Sequence, residues 1–380
     1  VDANCCTAAD KRRNRERLPP LAPVVPPPSK PRFAGQTPAV PRLNRITLKQ
    51  LYDRYMADPA AIRSVKTQYA YRAVFDRLTE FLGPDTPVDE ITREECRRLL
   101  DTLRMLPPNS TKRFRGASFA TVAEKARSVG TMPMSPTTVN SYLNKLSALM
   151  NWAENEGYIV KNPARGLRVV DPVRKKDKRN PFSTEQLHRM FNAPLYCGCE
   201  NDQSGYARTG SEQPRRARFW VPLIGLFSGM RLNEICQMDT ADVRLVAGAL
   251  CFVVTSDCHL AGPEKRLKTR NSERIVPVHP KLIELGFGTY LDARRVQPGA
   301  KLFSDLSVAS TGYFSDNFSK WFSVFLEKCG AKTARTSFHS FRHNFRDALR
   351  DAGVRRRVLV CHGAGGVAGA AALRALLGSC

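Results

Sequence analysis

Three short segments hold the side chains in this sequence best suited to gripping a phosphate group. In chain order they are Ser228-Gly229-Met230-Arg231-Leu232-Asn233-Glu234-Ile235, Leu267-Lys268-Thr269-Arg270-Asn271-Ser272-Glu273-Arg274-Ile275-Val276-Pro277 and Phe338-His339-Ser340-Phe341-Arg342-His343. A guanidinium presents a planar fork of donors that stays charged at any relevant pH and can engage two phosphate oxygens at once, so Arg231 and Arg342 are candidate clamps. Lysine is a poorer fork but a compact, deprotonatable ammonium on a long stem. Imidazole titrates near neutrality, which makes Lys268 and His339 the residue types for moving protons. Alone, each says little: an isolated arginine is most often a surface residue, a lysine near a hairpin turn is usually solvated, and His-x-x-Arg occurs by chance in basic chains. Their joint order carries the weight, with 37 residues from Arg231 to Lys268 and 71 from Lys268 to His339. Cys197-x-Cys199 with Cys258-His259 lacks a second two-residue cysteine box and regular spacing, so neither a metal site nor a cofactor is expected.

The elements that must position these residues are legible from periodicity. Leu48, Leu51, Tyr52 and Tyr55 recur at helical spacing, and Tyr71, Phe75, Leu78 and Leu82 repeat the pattern before Gly83-Pro84. A short third helix is expected after Thr92. The strongest begins at Ser135-Pro136, a cap followed by proline at the first helical position, and runs through Val139, Tyr142, Leu143, Leu146, Met150 and Ala153 to Gly157. Between them, residues 107–134 mix Pro107-Pro108 with Lys112, Arg113, Arg115, Lys125 and Arg127, which predicts a long basic connection, either a solvated face or a phosphate contact. Further on, Ser183-Thr184-Glu185-Gln186 opens a helix, Phe219 to Phe227 is nearly all apolar and ends at Ser228-Gly229, and β-like runs occupy Leu250 to Thr255 and Arg274 to Val278. Helical spacing returns from Phe314 to Leu326 and after Ser337. The expected organisation is therefore a mainly α domain over 46–168, a basic linker over 169–181 and an α+β domain with a small antiparallel sheet over 182–353.

Charge narrows the partner. Sixty Lys+Arg against 35 Asp+Glu leave a formal +25, which repels itself unless a polyanion neutralises it, so nucleic acid leads over a merely basic soluble protein. Residues 1–45 hold nine of the 26 prolines and the cluster Lys11-Arg12-Arg13, and read as an extended or disordered basic arm that either drapes on DNA or is a solvated tail. Lys175 and Lys176 make the linker a positive strap. Eleven cysteines without regular spacing, no secretory leader pattern and no long apolar run predict a reducing, cytoplasmic setting without a membrane span.

Taken together, the three segments resemble the catalytic domain of the tyrosine recombinase (phage integrase) family: an arginine after a small-residue turn with glutamate three residues on, a lysine on a β-hairpin, and His-x-x-Arg opening a late helix. Asn151-Trp152-Ala153-Glu154-Asn155-Glu156-Gly157-Tyr158-Ile159-Val160-Lys161-Asn162-Pro163 is similar to the end of that family's helical core-binding domain. The resemblance covers roughly residues 46 to 353 and implies the DNA breaking-rejoining fold and site-specific recombination of double-stranded DNA. Tetramers on paired sites are expected in an intact homologue, with bacterial, nucleoid-associated work. It implies that Arg231 and Arg342 clamp the scissile phosphate and that Lys268 protonates the departing 5′ oxygen, with Lys265 and Arg270 near enough in sequence to compete for the role. His339 assists proton transfer or hydrogen-bonds the phosphate, Glu234 orients Arg231 or caps local structure, and His343 is a helix-facing neighbour.

The chain departs from that pattern after Gly353. The family's tyrosine nucleophile follows the His-x-x-Arg helix, yet the last tyrosine here is Tyr313, upstream of His339. His362-Gly363 faintly resembles the second histidine box. Residues 354–380 contain no Asp, Glu, Lys, Tyr, Asn, Thr, Phe or Ile, while Ala and Gly supply 11 of 27 positions, so this tail is read as out of frame or decayed, or else as an Ala-rich helix of other use. A cleavage-deficient enzyme or a non-catalytic DNA-binding remnant is expected.

Overall fold

The computed structural model describes residues 45–353 except 62, 115, 175–176, 259–264, 268–271 and 297–299, and leaves the side chains of 111, 112 and 120 undescribed. Helices dominate, with one small antiparallel sheet. The described hydrophobic residues fall into two cores, one drawn from residues 46–164 and the other from 182–341.

Helices α1 (Leu48–Ala57), α2 (Val65–Leu82), α3 (Arg93–Met105), α4 (Ser110–Arg113), α5 (Phe119–Ser128) and α6 (Pro136–Asn155) build the first core. Their starts are chemically specified. Thr47 with Gln50 and Thr92 with Glu95 form reciprocal capping boxes, and Ser135 caps α6 with Pro136 at its first position. Leu48, Leu51, Tyr52 and Tyr55 of α1 bury the stripe that their spacing predicts, and α6 contributes Val139, Leu143, Leu146 and Met150. The stretch 107–134 is more ordered than the expected basic connection: it contains α4 and α5, and Phe119, Val122 and Ala126 of α5 are buried. That apolar stripe is short, and Lys125 and Arg127 on the remaining turns mask its period. Arg113 is exposed at the end of α4, while the side chain of Lys112 and all of Arg115 lie outside the described residues.

Two asparagine side chains hold the linker at either end. Asn140 of α6 donates Nδ2 to the Val169 carbonyl and accepts the Val169 N–H, both at 2.8 Å. Asn344 does the same for Phe182, at 2.7 and 2.9 Å. Each amide completes the hydrogen bonding of an extended residue that has no sheet partner. Lys175 and Lys176 lie outside the described residues.

The second core gathers α7 (Thr184–Phe191), α8 (Pro194–Cys197), α9 (Ala217–Ser228), α10 (Leu232–Cys236), α11 (Pro280–Glu284), α12 (Phe287–Arg295), α13 (Ser315–Lys328) and α14 (His339–Asp351) around strands β1 (Val243–Val246), β2 (Ala249–Val254) and β3 (Arg274–Pro277). The sheet runs in the order β1-β2-β3, with Val243 opposite Phe252 and Phe252 opposite Val276. Strand β1 has only four residues and was not visible in the periodicity. A two-residue turn joins it to β2, with Ala247 and Gly248 both at positive φ, the geometry that follows strand twist. Helix α9 is apolar apart from Arg218 and Ser228, and nine of its twelve residues are buried. Trp220, Phe252, Phe287, Phe303, Phe322, Phe325 and Phe341 are fully buried around it. Among the described residues no helix is long and apolar enough to cross a membrane.

Candidate phosphate-binding site

The site begins with two glycines one helical turn apart. A Cβ on Gly225 would lie 2.6 Å from the Phe338 ring, and one on Gly229 would lie 2.5 Å from the ring of Phe345, so α9 can touch α14 only because both side chains are missing. Gly229 also ends α9 in the left-handed region, at φ 59°, which turns the chain sharply into Arg231. Its carbonyl accepts Nη1 of Arg342 at 2.7 Å. One turn of backbone thus fixes both arginines: it precedes Arg231 by two residues and supports Arg342 directly.

Arg231 precedes α10 and is held by Glu234 three residues later. The buried carboxylate accepts the Arg231 backbone N–H at 2.9 Å and its Nη1 at 2.6 Å, and Nη1 also reaches Ser272 Oγ at 3.2 Å. Glu234 accepts a second guanidinium, Arg274 Nη2 from β3, at 2.6 Å. Burial works against the Glu234 charge, but Arg274 and then Arg231 outweigh it and hold the carboxyl below its ordinary pKa. The Arg231 side chain remains 35% exposed against 3% for Glu234. Its Nη2 and Nε make no hydrogen bond among the described residues.

Burial, and then the charges of Arg231 and Arg274, lower the pKa of the Arg342 guanidinium. His339 shares this field. Burial first, followed by the cations Arg179, His343, Arg342 and Arg231, depresses its imidazole to a pKa of about 4, so at neutral pH it is uncharged. The rings of His339 and His343 meet edge to face at 5.3 Å, and His343 is lowered too, by burial and Arg346 ahead of the other charges. A pocket in which burial and positive charge both oppose protonation of histidine is one that favours an anion.

The structure brings Arg231, Glu234, His339 and Arg342 into one electrostatic neighbourhood. Lys268 and His362 lie outside the described residues. Lys265, the nearby competitor of Lys268, is committed elsewhere: its ammonium is 1% exposed and lies 2.7 Å from both Asp239 and Asp242, and Lys301 completes the cluster at 2.7 Å from Asp239. Burial raises both carboxyls, but the two lysines outweigh it and lower Asp239, whereas on Asp242 burial wins and the pKa is raised. Sequence reading missed three contributors: Arg274, Ser272 and Arg179. Arg274 and Ser272 lie within the hairpin segment, and the only local signal for Arg274 is its place on a strand otherwise apolar. Arg179 is one charge in a basic linker, and its place near His339 follows from the chain three residues on, where Asn344 of the His339 helix holds Phe182. Among the described residues no group of His, Cys, Asp and Glu could hold a metal ion.

Residues 47–169 match the phage integrase SAM-like domain family. IntQ of Escherichia coli (strain K12), whose name marks it as a defective protein, is 23% identical over 209 residues, which is 54% of this chain and 43% of that relative. The match therefore spans less than half the length of the relative. Among solved structures, the Tn1549 transposon integrase in complex with a circular intermediate DNA is similar at a TM-score of 0.55 and 16% identity, covering 87% of this chain and 99% of that one. A lambda integrase dimer bound to a COC′ core site is similar at 0.52 and 17%, covering 84% and 96%. A lambda integrase tetramer bound to a Holliday junction gives 0.52 and 17%, covering 86% and 80%. At such identities the likeness is one of fold.

Proposed function

From the premise that this chain bears a phage integrase SAM-like domain and has the fold of tyrosine integrases, we propose that it binds duplex DNA at a recombination site and clamps one backbone phosphate between Arg231 and Arg342. The observation that carries the reading is that the Gly229 carbonyl holds Arg342 while Glu234 holds Arg231, leaving the Nη2 and Nε edge of Arg231 without a hydrogen bond among the described residues. His339, uncharged at neutral pH, accepts or relays a proton beside the phosphate. Lys268 is the hairpin lysine for protonating a departing 5′ oxygen, a role supported by the burial of Lys265 between two aspartates. Lys112, Arg113, Arg115, Lys175 and Lys176 supply contacts to flanking phosphates, and an intact homologue works as a tetramer on paired sites.

Strand cleavage in this fold needs a phenolic oxygen in line with phosphorus, and these 380 residues contain no tyrosine beyond Tyr313. The ring of Tyr313 has Lys66 Nζ at 5.2 Å and the Arg266 guanidinium at 5.8 Å, and it precedes the His339 helix rather than following it. Binding itself should fall with salt at a log–log slope of about −0.9 per neutralised phosphate. Salt-insensitive binding would refute the clamp.

A further inference from the structure

Glu234 raises an electrostatic difficulty. A carboxylate 2.6 Å from Arg231 Nη1 orients that guanidinium but also neutralises it, and a neutral pair attracts a phosphate far less than a free cation does. The fold supplies a second cation to the same carboxylate. Arg274, from β3, donates Nη2 to Glu234 Oε2 at 2.6 Å and Nη1 to the Ser272 carbonyl at 2.8 Å, which fixes its own orientation. We propose that Arg274 is a positioning residue of the phosphate site: it keeps the Arg231–Glu234–Arg274 trio at net +1 and occupies the carboxylate oxygen that would otherwise draw Arg231 into a closed, two-pronged pair.

The gradation of exposure fits this division of labour. Glu234 is 3% exposed, Arg274 12% and Arg231 35%, so the carboxylate and its compensating cation are set back while the third member faces outward. Each Glu234 oxygen is spoken for: Oε1 takes Arg231 Nη1, and Oε2 takes Arg274 Nη2 together with the Arg231 backbone N–H. The Arg274 charge is also felt at Arg342, whose pKa it lowers after burial and Arg231. Without Arg274, Glu234 Oε2 would lose its one guanidinium partner, and the nearest replacement is the free edge of Arg231.

The inference rests on the phosphate-clamp reading of Arg231, and the test separates the two. The full chain is titrated with inorganic phosphate while the Arg231 Nε–Hε signal is followed by NMR. In the unmodified chain the signal should shift saturably, and Arg231→Ala should abolish phosphate binding read on His339. Arg274→Gln should weaken binding roughly tenfold or more, on the scale of one charge-assisted hydrogen bond. Arg274→Lys, which keeps the charge, should stay within about threefold. The decisive variant is Arg274→Gln with Glu234→Gln, which removes both charges and should recover much of the affinity that Arg274→Gln alone loses, less the share owed to the orientation of Arg231 by Glu234. A purely structural role for Arg274 predicts that this second loss deepens the defect. No response in the unmodified chain, or none lost on Arg231→Ala, overturns the clamp itself. An intact clamp with unchanged affinity in Arg274→Gln, or with no recovery in the double variant, overturns the role of Arg274 alone. If Arg274→Gln does not fold, the double variant decides by itself.

Discussion

Replacing Gly229 by alanine tests the turn on which both arginines depend. The residue stands at φ 59°, where a side chain costs about 1–2 kcal/mol through contact between Cβ and the carbonyl. The new methyl would also lie 2.5 Å from Cδ1 and 2.9 Å from Cγ of Phe345. These are ring atoms next to the helix backbone rather than the tip of a flexible chain, so α14 itself must shift, at about 1–3 kcal/mol for an overpacked contact. The expected loss is therefore about 2–5 kcal/mol. Urea unfolding followed by tryptophan fluorescence reads it well, since Trp220 and Trp321 both belong to the second core. The two contributions separate in a double-mutant cycle with Phe345→Ala: the steric share should vanish in that background, while the backbone share of about 1–2 kcal/mol stays. Because the Gly229 carbonyl accepts Arg342 Nη1, phosphate affinity should fall in Gly229→Ala and recover in part when Phe345 is also truncated. A loss below about 0.5 kcal/mol, or a loss that Phe345→Ala leaves untouched, would refute the close-packing account.

Other expectations follow from the buried charges. His339, with an ordinary value of 6.5 lowered to about 4, binds fewer protons folded than unfolded, so stability should be full above pH 6.5 and decline as pH falls towards 4; an imidazole NMR titration with a midpoint near 6.5 would contradict this. Saturating phosphate should raise that midpoint by offsetting the arginine field, and no upward movement would speak against a shared site. Lys265→Met removes the ammonium that pairs with buried Asp239 and Asp242, and should destabilise by about 3–5 kcal/mol in urea, against under about 1 kcal/mol for Lys66→Met, whose partner Asp316 is met at the surface. Asn344→Ala removes both hydrogen bonds to Phe182, and limited proteolysis within 169–181 should accelerate several-fold; an unchanged cleavage rate would mean that the linker is held by other contacts.

The helices were readable because their signals are local. Thr47, Thr92, Ser135 and Ser183 each cap the helix that follows, and the stripe from Leu48 to Tyr55 buries the residues its spacing selects. Helix α5 escaped because its buried face, Phe119, Val122, Ala123 and Ala126, carries only two large apolar side chains among basic residues, and β1 because four residues hardly register a period. In the site, Arg231 and Arg342 stood out through their motifs and Glu234 through its place three residues after Arg231. Nothing local marks Arg274 or Arg179. Their importance lies in which carboxylate and which histidine they face, 40 residues or more away along the chain, and that is set by the pairing of β3 and by the Asn344 clasp.

The two buried carboxylate networks of the second core show why such partners had to be found in three dimensions. Among the described residues Asp239 and Asp242 are paired with Lys265 and Lys301, and the centre of the cluster is withdrawn from solvent: Lys265 is 1% exposed and its carboxylates 2%, with Lys301 at 20% on the outside. Here the cations are turned inward onto buried acids, and removing Lys265 strands them in the core. Glu234 is matched differently, one charge against two, and the trio opens outward through Arg231. The same ingredients therefore give a fastening in one place and a binding surface in the other, the difference being one uncompensated guanidinium. In a chain of net +25 a further positive charge has little meaning by count alone. It becomes specific when a buried carboxylate holds it in one orientation and a second arginine prevents that carboxylate from cancelling it.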